Sequence, residues 1–192
     1  MLSVAEIFRS YEILDAEGRH VNGTDKHGPN HQYGYAYEEI LTGRRATAQL
    51  IMEIGITDGS SLLAWREVFP NAHCVGMDIH PAAKLMYNSH NRDRVEFCLG
   101  DQRSKEDCER AAAGRQFDFI CEDATHILEN TLLTLLFLWP HVKPGGLYVI
   151  EEFANVGSLR QNITELYPFA DIIDTKGPSD NTESLVVLRK SK

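Results

Sequence analysis

The fold of this chain is decided by the stretch Gln49-Leu50-Ile51-Met52-Glu53-Ile54-Gly55-Ile56-Thr57-Asp58-Gly59-Ser60-Ser61. Within it, an apolar run ends at Glu53 and is followed by Gly55 and Gly59. Glycine adopts backbone angles that other residues avoid and lets a ligand approach the main chain closely. The pattern therefore predicts a buried strand that turns into a helix around a nucleoside ligand.

A second apolar run, residues 72–77, ends at Asp78. A carboxylate at the end of a second strand can accept hydrogen bonds from both hydroxyls of a ribose. A cofactor with a pyrophosphate, such as NAD, would favour the pattern G-x-G-x-x-G. Here Glu53 and Asp58 flank the glycine turn and would repel a pyrophosphate. The pattern favours a cationic ligand without phosphate, a description that S-adenosylmethionine fits.

Length and charge restrict the class of protein. The chain has 192 residues and a formal net charge of −9. This length suits one domain with a full core. Nucleic-acid binding rests on clustered Lys and Arg, so we expect no nucleic-acid partner. The longest apolar run, Leu132 to Trp139, is too short to span a bilayer, so we expect no membrane partner.

Cysteine usage and the N-terminal sequence indicate the compartment. The cysteines form no C-x-x-C pair, and we expect them to be reduced core residues: Cys74, Cys98, Cys108 and Cys121. The N-terminus lacks the charged region and apolar segment of a secretory leader. We therefore expect a cytoplasmic protein.

Apolar stretches alternate with amphipathic ones along the chain. Strands are predicted at about 49–54, 73–78, 94–99, 117–122, 146–151, 169–174 and 184–189. Helices are predicted between the first five strands, near 60–68, 82–89, 104–112 and 128–139. Such alternation implies right-handed crossovers and a parallel sheet covered on both faces. The short link Thr175 to Thr182 predicts a hairpin. The fold class is therefore α/β, with a Rossmann-like sheet of seven strands, one of them antiparallel.

The first 45 residues carry their own pattern. Val4, Ile7, Phe8 and Tyr11 repeat at helical spacing, and residues 17–29 are polar and glycine-rich, which predicts a loop. A second helical stripe follows, formed by Tyr33, Tyr37 and Ile40.

The predicted strand ends are acidic. Ligands of open α/β sheets bind beyond the carboxyl ends of the strands. At those ends stand Glu53, Asp78, Asp101-Gln102, Glu122-Asp123 and Glu151-Glu152. Burying so many carboxylates is costly unless cations compensate them. The sulfonium and amino groups of S-adenosylmethionine could compensate part of this charge, and a divalent metal the rest.

Metal chemistry and a structural role both remain open for these acids. Oxygen ligands from Asp123, Glu151 and Glu152 suit Mg²⁺ or Mn²⁺. His126, three residues past Asp123, has a pKa range suited to taking a proton from a hydroxyl held on that metal. Alternatively, the acid pair caps the following helix and the histidine is structural.

Ordered motif matches extend over most of the chain. They are Gly23-Thr24-Asp25-Lys26-His27-Gly28, Tyr33, Tyr37-Glu38, Glu53-Ile54-Gly55, Gly59-Ser60-Ser61-Leu62, Trp65, Phe69-Pro70-Asn71-Ala72, Gly76-Met77-Asp78-Ile79, Gly100-Asp101-Gln102, Phe117-Asp118-Phe119-Ile120, Glu122-Asp123-Ala124-Thr125-His126 and Pro144-Gly145-Gly146-Leu147-Tyr148-Val149-Ile150-Glu151-Glu152. With these motifs the chain resembles the macrocin and mycinamicin family of natural-product sugar O-methyltransferases.

The resemblance implies a class I methyltransferase fold, S-adenosylmethionine as cofactor and Mg²⁺-dependent transfer to a sugar hydroxyl in antibiotic biosynthesis. It implies that Asp123 is a metal ligand, that His126 is the base and that Glu151-Glu152 complete the metal site. The chain departs from the family pattern at Glu122 and Glu152, where Asp is usual, and at Ala124-Thr125, where Gly-Ser is usual. The retained charge favours a working site.

The cofactor roles follow from this likeness. We expect Glu53 and the glycine turn to hold the methionine part, Asp78 the ribose and Asp101-Gln102 the adenine. The full predicted cofactor set is Glu53, Gly55, Gly59, Ser60, Ser61, Asp78, Ile79, Asp101, Gln102, Glu122, Lys26 and Tyr33.

Residues 1–45 are predicted to form a helical and lid segment, and residues 46–192 the methyltransferase domain, within one compact unit. In the lid, the segment Thr24 to Tyr37, we expect Lys26, Tyr33 and Tyr37 to face the cofactor or acceptor. We expect His27 and His31 to be exposed to solvent.

Several activities remain in view. The favoured one is O-methylation of a small-molecule acceptor by a homo-oligomer. The alternative is N-methylation of an amino sugar on the same scaffold. Two further hypotheses have less support: an iron and 2-oxoglutarate hydroxylase, which needs a 2-His-1-carboxylate triad, and a cofactor-binding protein without catalysis.

Overall fold

The structure is a computed structural model that describes residues 1–14, 16, 20–27, 31–81, 93–151, 156–168, 170–176 and 182–191. Its N-terminal part contains α1 (Val4–Ser10), β1 (Glu12–Leu14), β2 (His20–Gly23) and α2 (Tyr33–Ile40). Helix α1 begins at a capping box, in which Ser3 and Glu6 satisfy each other's backbone N–H groups. The two helices predicted in the first 45 residues are both present, as α1 and α2.

The predicted loop over residues 17–29 is wrong at His20–Gly23, which form β2 and pair antiparallel with β1. This short strand shows no apolar alternation, so its structure depends on its partner strand rather than on its own pattern.

The rest of the chain builds one sheet with helices around it. Its strands are β3 (Leu50–Ile54), β4 (His73–Asp78), β5 (Val95–Leu99), β6 (Phe117–Glu122), β7 (Val142–Ile150), β8 (Ala170–Lys176) and β9 (Thr182–Arg189). Its helices are α3 (Ser60–Val68), α4 (Lys105–Ala112), α5 (Leu128–Leu138) and α6 (Val156–Leu166), with a 3-10 turn at Trp139–His141. Helix α6 was not predicted, and the predicted helix at 82–89 lies outside the described residues.

The sheet has the strand order β5-β4-β3-β6-β7-β9-β8. Strands β3 to β7 pair in parallel, and β9 runs antiparallel to both β7 and β8. The predicted fold class, a mostly parallel α/β sheet with a C-terminal hairpin, is confirmed. From β3 the chain leads outward to β4 and β5, then returns to β6 on the other side of β3. Such a reversal opens a crevice at the carboxyl ends of the central strands.

Two apolar clusters cover the two faces of the sheet. On one face Trp65 of α3 lies edge-on to Phe8 and Tyr37, with ring centroids 4.8 and 4.9 Å apart. On the other face Leu135 and Leu138 of α5 are fully buried. The aromatic contacts hold the N-terminal helices against the sheet. Rings in this edge-to-face geometry contribute more stabilising energy than the burial of their surface area alone.

The run Leu132 to Trp139 falls mainly in α5, where it supplies both core and surface side chains. None of the described helices has the length and apolar character needed to cross a membrane. All four cysteines are free thiols.

Candidate functional site

The turn after β3 holds the centre of the site. Gly55 has φ +82°, and a Cβ atom on it would lie 2.0 Å from the backbone oxygen of Asp123. Its N–H donates to the backbone oxygen of Met77 at 2.9 Å. Gly59, with φ +90°, precedes the first residue of α3. A residue with a side chain does not fit at position 55, because the ends of β3, β4 and β6 meet there.

Asp78 ends β4 and fixes this turn. Its Oδ2 accepts hydrogen bonds from the backbone N–H groups of Ile56 and Thr57, both at 2.9 Å, and its Oδ1 accepts from His80 N at 2.7 Å. A carboxylate has about four acceptor positions. Three are used here, so the predicted contact with a ribose has about one position left.

A cavity of about 480 Å³ opens at the carboxyl ends of β3, β4, β5 and β6. Its volume falls in the range of about 300–1,000 Å³ that ligand pockets occupy. The predicted site residues that line it are Gly55, Asp78, Ile79, Asp101, Gln102 and Asp123. The structure thus brings the residues predicted for the ribose and the adenine to one cavity, together with Asp123 but without His126 in the lining.

Glu53 lies below the turn instead of in the cavity wall. It is fully buried, and its oxygens accept hydrogen bonds from Ser61 Oγ at 2.8 Å and Trp65 Nε1 at 3.0 Å. Burial raises the pKa of Glu53, and the Lys26 ammonium opposes that rise. Gly59 and Ser60 also lie outside the lining. Glu53, Gly59 and Ser60 therefore shape the turn without lining the cavity.

The adenine candidates are tied to their neighbours. Asp101 pairs with Arg103, whose Nη2 lies 2.6 Å from Oδ2. The amide of Gln102 donates to Glu122 Oε1 at 3.0 Å and to Thr134 Oγ1 at 2.9 Å, and accepts from Thr125 N at 3.1 Å. These bonds hold the wall of the cavity in shape, and the adenine contact stays a prediction.

Glu122 is buried behind the cavity, with 1% of its surface exposed. Burial raises the pKa of this carboxyl to about 7, against the opposing hydrogen bond from Gln102. The side chain is therefore partly protonated near neutral pH, and its predicted contact with the cofactor stays a prediction.

Lys26 lies at the centre of the acids. Its Nζ is 2.6 Å from Asp123 Oδ2, 2.6 Å from Glu151 Oε2 and 3.2 Å from Glu53 Oε1. Only 1% of the residue is exposed. Burial by itself lowers the pKa of Lys26, but the charges of Asp123 and Glu151 outweigh it and raise that pKa well above its ordinary value. The ammonium is therefore charged and held by three carboxylates.

The prediction that Lys26, Tyr33 and Tyr37 face a ligand is not met, since each is at most 1% exposed and none lines the cavity. The Tyr37 hydroxyl donates to Glu151 Oε1. The Tyr33 ring stacks on His31, with centroids 5.1 Å apart. Lys26 and Tyr37 anchor the N-terminal segment in the core, because they contact acidic and aromatic side chains of the following domain there.

The predicted exposure of His27 and His31 is wrong. They are 3% and 8% exposed. His27 Nε2 lies 2.9 Å from Arg9 Nη2, and His31 Nε2 lies 3.4 Å from Asp25 Oδ2. Burial by itself raises the pKa of Asp25, but the hydrogen bond from His31 and the charges of Lys26 and His31 together outweigh it and lower the pKa of that carboxyl to about 2.

The predicted metal ligands are engaged by Lys26. Asp123 and Glu151 both contact its ammonium, and Glu152 lies outside the described residues. In the described part of the chain, no three His, Cys, Asp or Glu side chains form a group that could hold a metal ion. With Lys26 in this position, the described side chains do not fit a divalent metal.

His126 stands at the rim of the site. Its Nε2 lies 4.0 Å from Asp123 Oδ1, and its side chain is 33% exposed. Its φ of +53° is unusual for a residue other than glycine. Thr125 and Ile127, on either side of it, line the cavity. His126 is therefore partly exposed, while the residues on either side of it line the cavity.

Other lining residues were not among the predicted ones. They are Ile54, Thr57, Met77, His80, Gly100, Arg103, Ala124, Thr125, Ile127 and Asn130. Most of them stand at or just after the carboxyl end of a strand. That position alone could have identified them, because the rule for ligand sites in open sheets applies to every residue there.

Comparison with known proteins identifies related chains. The family described as "Methyltransferase domain" matches residues 52–153. Mycinamicin VI 2''-O-methyltransferase of Micromonospora griseorubida is 33% identical over 138 residues, which cover 67% of this chain and 33% of that protein. Demethylmacrocin O-methyltransferase of Streptomyces fradiae is 33% identical over 139 residues, with the same coverage. The chain spans about a third of the length of these curated relatives.

A solved structure is also similar. MycE methyltransferase from the mycinamycin biosynthetic pathway, crystallised in complex with Mg and SAH, superposes with a TM-score of 0.67 at 27% identity. The superposition covers 81% of this chain and 38% of MycE.

Proposed function

Because the chain belongs to the methyltransferase domain family, which matches residues 52–153, we propose that it transfers a methyl group from S-adenosylmethionine to a hydroxyl of a sugar or natural-product molecule. The observation that carries the proposal is the cavity of about 480 Å³ at the carboxyl ends of β3 to β6. This is the edge at which open α/β sheets bind their ligands.

The charge of the cavity supports a cationic donor. Its wall includes three carboxylates, of which Asp101 pairs with Arg103 and Asp123 with Lys26. The carboxylate of Asp78 accepts from backbone N–H groups, so its charge favours a cationic ligand over a phosphate. When bound, S-adenosylmethionine supplies a methyl group on a positively charged sulfur.

The donor-binding roles are assigned by position. We assign the methionine part to the turn at Gly55 and Thr57, the ribose to the remaining acceptor position of Asp78, and the adenine to Ile79 and Asp101. Ile79 is 55% exposed although it is apolar, so a flat ligand ring would cover it. Glu53, Ser60 and Ser61 act indirectly in this proposal, by holding the turn.

The acceptor side is assigned to His126 and Asp123. The acceptor oxygen forms a bond to the methyl carbon as the bond from sulfur to carbon breaks, and S-adenosylhomocysteine leaves. His126 takes the hydroxyl proton, and Asp123, 4.0 Å from its Nε2, stabilises the imidazolium that results. In-line geometry is the main requirement of such a displacement, so the residues serve to orient and deprotonate the acceptor.

The names of the relatives support the acceptor class. One is named for 2''-O-methylation of mycinamicin VI and the other for demethylmacrocin. A glycosylated natural product is therefore the first acceptor to test. We also keep the sequence-based prediction that the protein is a homo-oligomer. Sedimentation experiments would measure its oligomeric state.

No step of this mechanism passes through a metal. The sequence-based prediction of Mg²⁺ or Mn²⁺ at Asp123, Glu151 and Glu152 competes with the ammonium of Lys26 for the same oxygens. The proposed transfer uses only the donor, His126 and the carboxylate of Asp123.

Two measurements test the function. Calorimetry with S-adenosylhomocysteine is expected to show one site per chain. Incubation with methyl-labelled S-adenosylmethionine and a panel of glycosylated macrolides is expected to give O-methyl products by mass spectrometry. Matched amino-sugar acceptors form the comparison: methylation of the amine alone would overturn O-methylation in favour of N-methylation. Absence of both donor binding and product would overturn the enzyme assignment.

A further inference from the structure

The carboxylates around Lys26 are held on every side by the protein. An ammonium group has three N–H donors. Here three carboxylate oxygens lie within hydrogen-bonding or ion-pair distance of Nζ, at 2.6, 2.6 and 3.2 Å. The remaining oxygens have other partners, since Ser61 donates to Glu53 and Tyr37 donates to Glu151. The ammonium is therefore surrounded by three carboxylates that the protein positions, and of these three Asp123 also lines the cavity.

The ammonium of Lys26 occupies the space between the carboxylates of Asp123 and Glu151. Mg²⁺ requires oxygen ligands at about 2.0–2.1 Å in octahedral geometry. Asp123 Oδ2 and Glu151 Oε2 converge on Nζ, each at 2.6 Å. An ion between these two oxygens would clash with the ammonium and be repelled by its charge.

We propose that Lys26 is the built-in cation of this centre, standing between Asp123 and Glu151 where a divalent metal would otherwise bind, so that donor binding and methyl transfer do not require a divalent metal. The statement about transfer rests on the proposed function, whereas the statement about metal and donor binding does not. Lys26 does not touch the cavity, so it is a positioning residue that acts through Asp123, whose other oxygen faces His126.

The first test uses the unmodified protein after removal of metal with a chelator. Titration with Mn²⁺, followed by electron paramagnetic resonance, is expected to show no site tighter than about millimolar. The affinity for S-adenosylhomocysteine is expected to stay within about twofold with and without Mg²⁺, and turnover likewise. Micromolar Mn²⁺ binding at one ion per chain, or loss of donor affinity or turnover on chelation, would overturn the inference.

The second test removes the ammonium. Lys26→Met leaves the carboxylates without their cation and is expected to bind Mn²⁺ at least tenfold more tightly than the unmodified protein. Its thermal unfolding temperature is expected to rise when Mn²⁺ is added. Lys143→Met is the matched control, because Lys143 pairs with Asp118 at 2.8 Å on a half-exposed surface, and it should gain no Mn²⁺ affinity.

A double variant locates the effect. Lys26→Met with Glu151→Gln removes one of the two converging carboxylates and is expected to lose the gained Mn²⁺ affinity. Equal Mn²⁺ affinity in Lys26→Met and Lys143→Met would contradict the inference. If Lys26→Met fails to fold, the Mn²⁺ and S-adenosylhomocysteine titrations of the unmodified protein still test the inference. If no acceptor is methylated, the proposed function fails. The Mn²⁺ and donor titrations still test separately whether donor binding requires a divalent metal.

Discussion

Gly55 lies so close to Asp123 that a Cβ atom at position 55 would be 2.0 Å from the Asp123 backbone oxygen. The contact joins the end of β3, where the donor turn begins, to the end of β6, where the segment with His126 begins. The two halves of the proposed reaction centre therefore fix each other through backbone atoms. A change at either residue shifts both.

Gly55→Ala is expected to lower the free energy of unfolding by more than about 2 kcal/mol, because it adds a steric clash to an unfavourable backbone angle. Gly43→Ala is the control, since Gly43 has φ +73° but no neighbouring atom within 4 Å of the place that its Cβ atom would take. It should cost only about 1 kcal/mol. Urea unfolding of both variants measures the difference, and equal losses would show that the clash with Asp123 has no effect.

Asp78→Asn is expected to raise the dissociation constant for S-adenosylhomocysteine by about tenfold or more, because it weakens both the turn and the ribose contact. Asp118→Asn is the control. Asp118 Oδ2 also accepts from two backbone N–H groups, those of Gln49 and Leu50, but at the opposite end of β3. Calorimetry should show a loss of affinity in the first variant alone. An equal loss in both would mean that only general stability is involved.

The buried carboxyl of Glu122 should make stability depend on pH. Its pKa is raised from 4.5 to about 7, so the folded state holds a proton that the unfolded state releases. The corresponding stabilisation is fully present below pH 4.5 and is lost as the pH rises through about 7. Its size is on the order of 3 kcal/mol.

Glu122→Gln keeps an uncharged group at this position and is expected to reduce the fall in the free energy of unfolding between about pH 5 and pH 8. Urea unfolding across that range measures it. Glu106→Gln, at an exposed position of α4, should leave the fall unchanged. If Glu122→Gln shows the same pH dependence as the unmodified protein, the raised pKa is not its source.

His126→Ala is expected to slow turnover by about 10²–10⁴-fold while leaving the affinity for S-adenosylhomocysteine unchanged, because His126 is assigned to the proton and not to the donor. His73→Ala is the control, since His73 stands at the start of β4, away from the cavity, and pairs with Glu96. Single-turnover kinetics and calorimetry separate the two effects. Unchanged turnover in His126→Ala would remove the base assignment.

The order of elements could be predicted because it depends on local periodicity. Apolar runs that end in an acid or glycine located β3 and β4, and the short polar link located the C-terminal hairpin. Helix α6 was not predicted, although Val156, Leu159, Ile163 and Leu166 repeat at helical spacing and the signal was present in the sequence. Strand β2 escaped prediction because its backbone bonds come from β1 rather than from its own pattern.

The site was predictable only in part. Strand-end position identified the cavity residues Asp78 and Asp101, since parallel strands deliver their carboxyl ends to one edge. It did not identify the partner of the acids. Lys26 stands 97 residues before Asp123 in the chain, and no periodicity links them. Sequence patterns report which residues are buried, whereas ion pairs between distant segments depend on the assembled fold.

The ion pairs of Lys26 also limit where the chain can be truncated without loss of the fold. Phe8 and Tyr37 pack on Trp65, and Lys26 supplies one positive charge to three strand-end acids, so residues before Ala46 contribute core and charge to the part that follows. A truncated chain beginning at Ala46 would expose an apolar face and bury carboxylates without a counter-charge. The donor-binding half therefore cannot be transplanted as a separate module, and proteolysis near residue 26 should inactivate the whole protein at once.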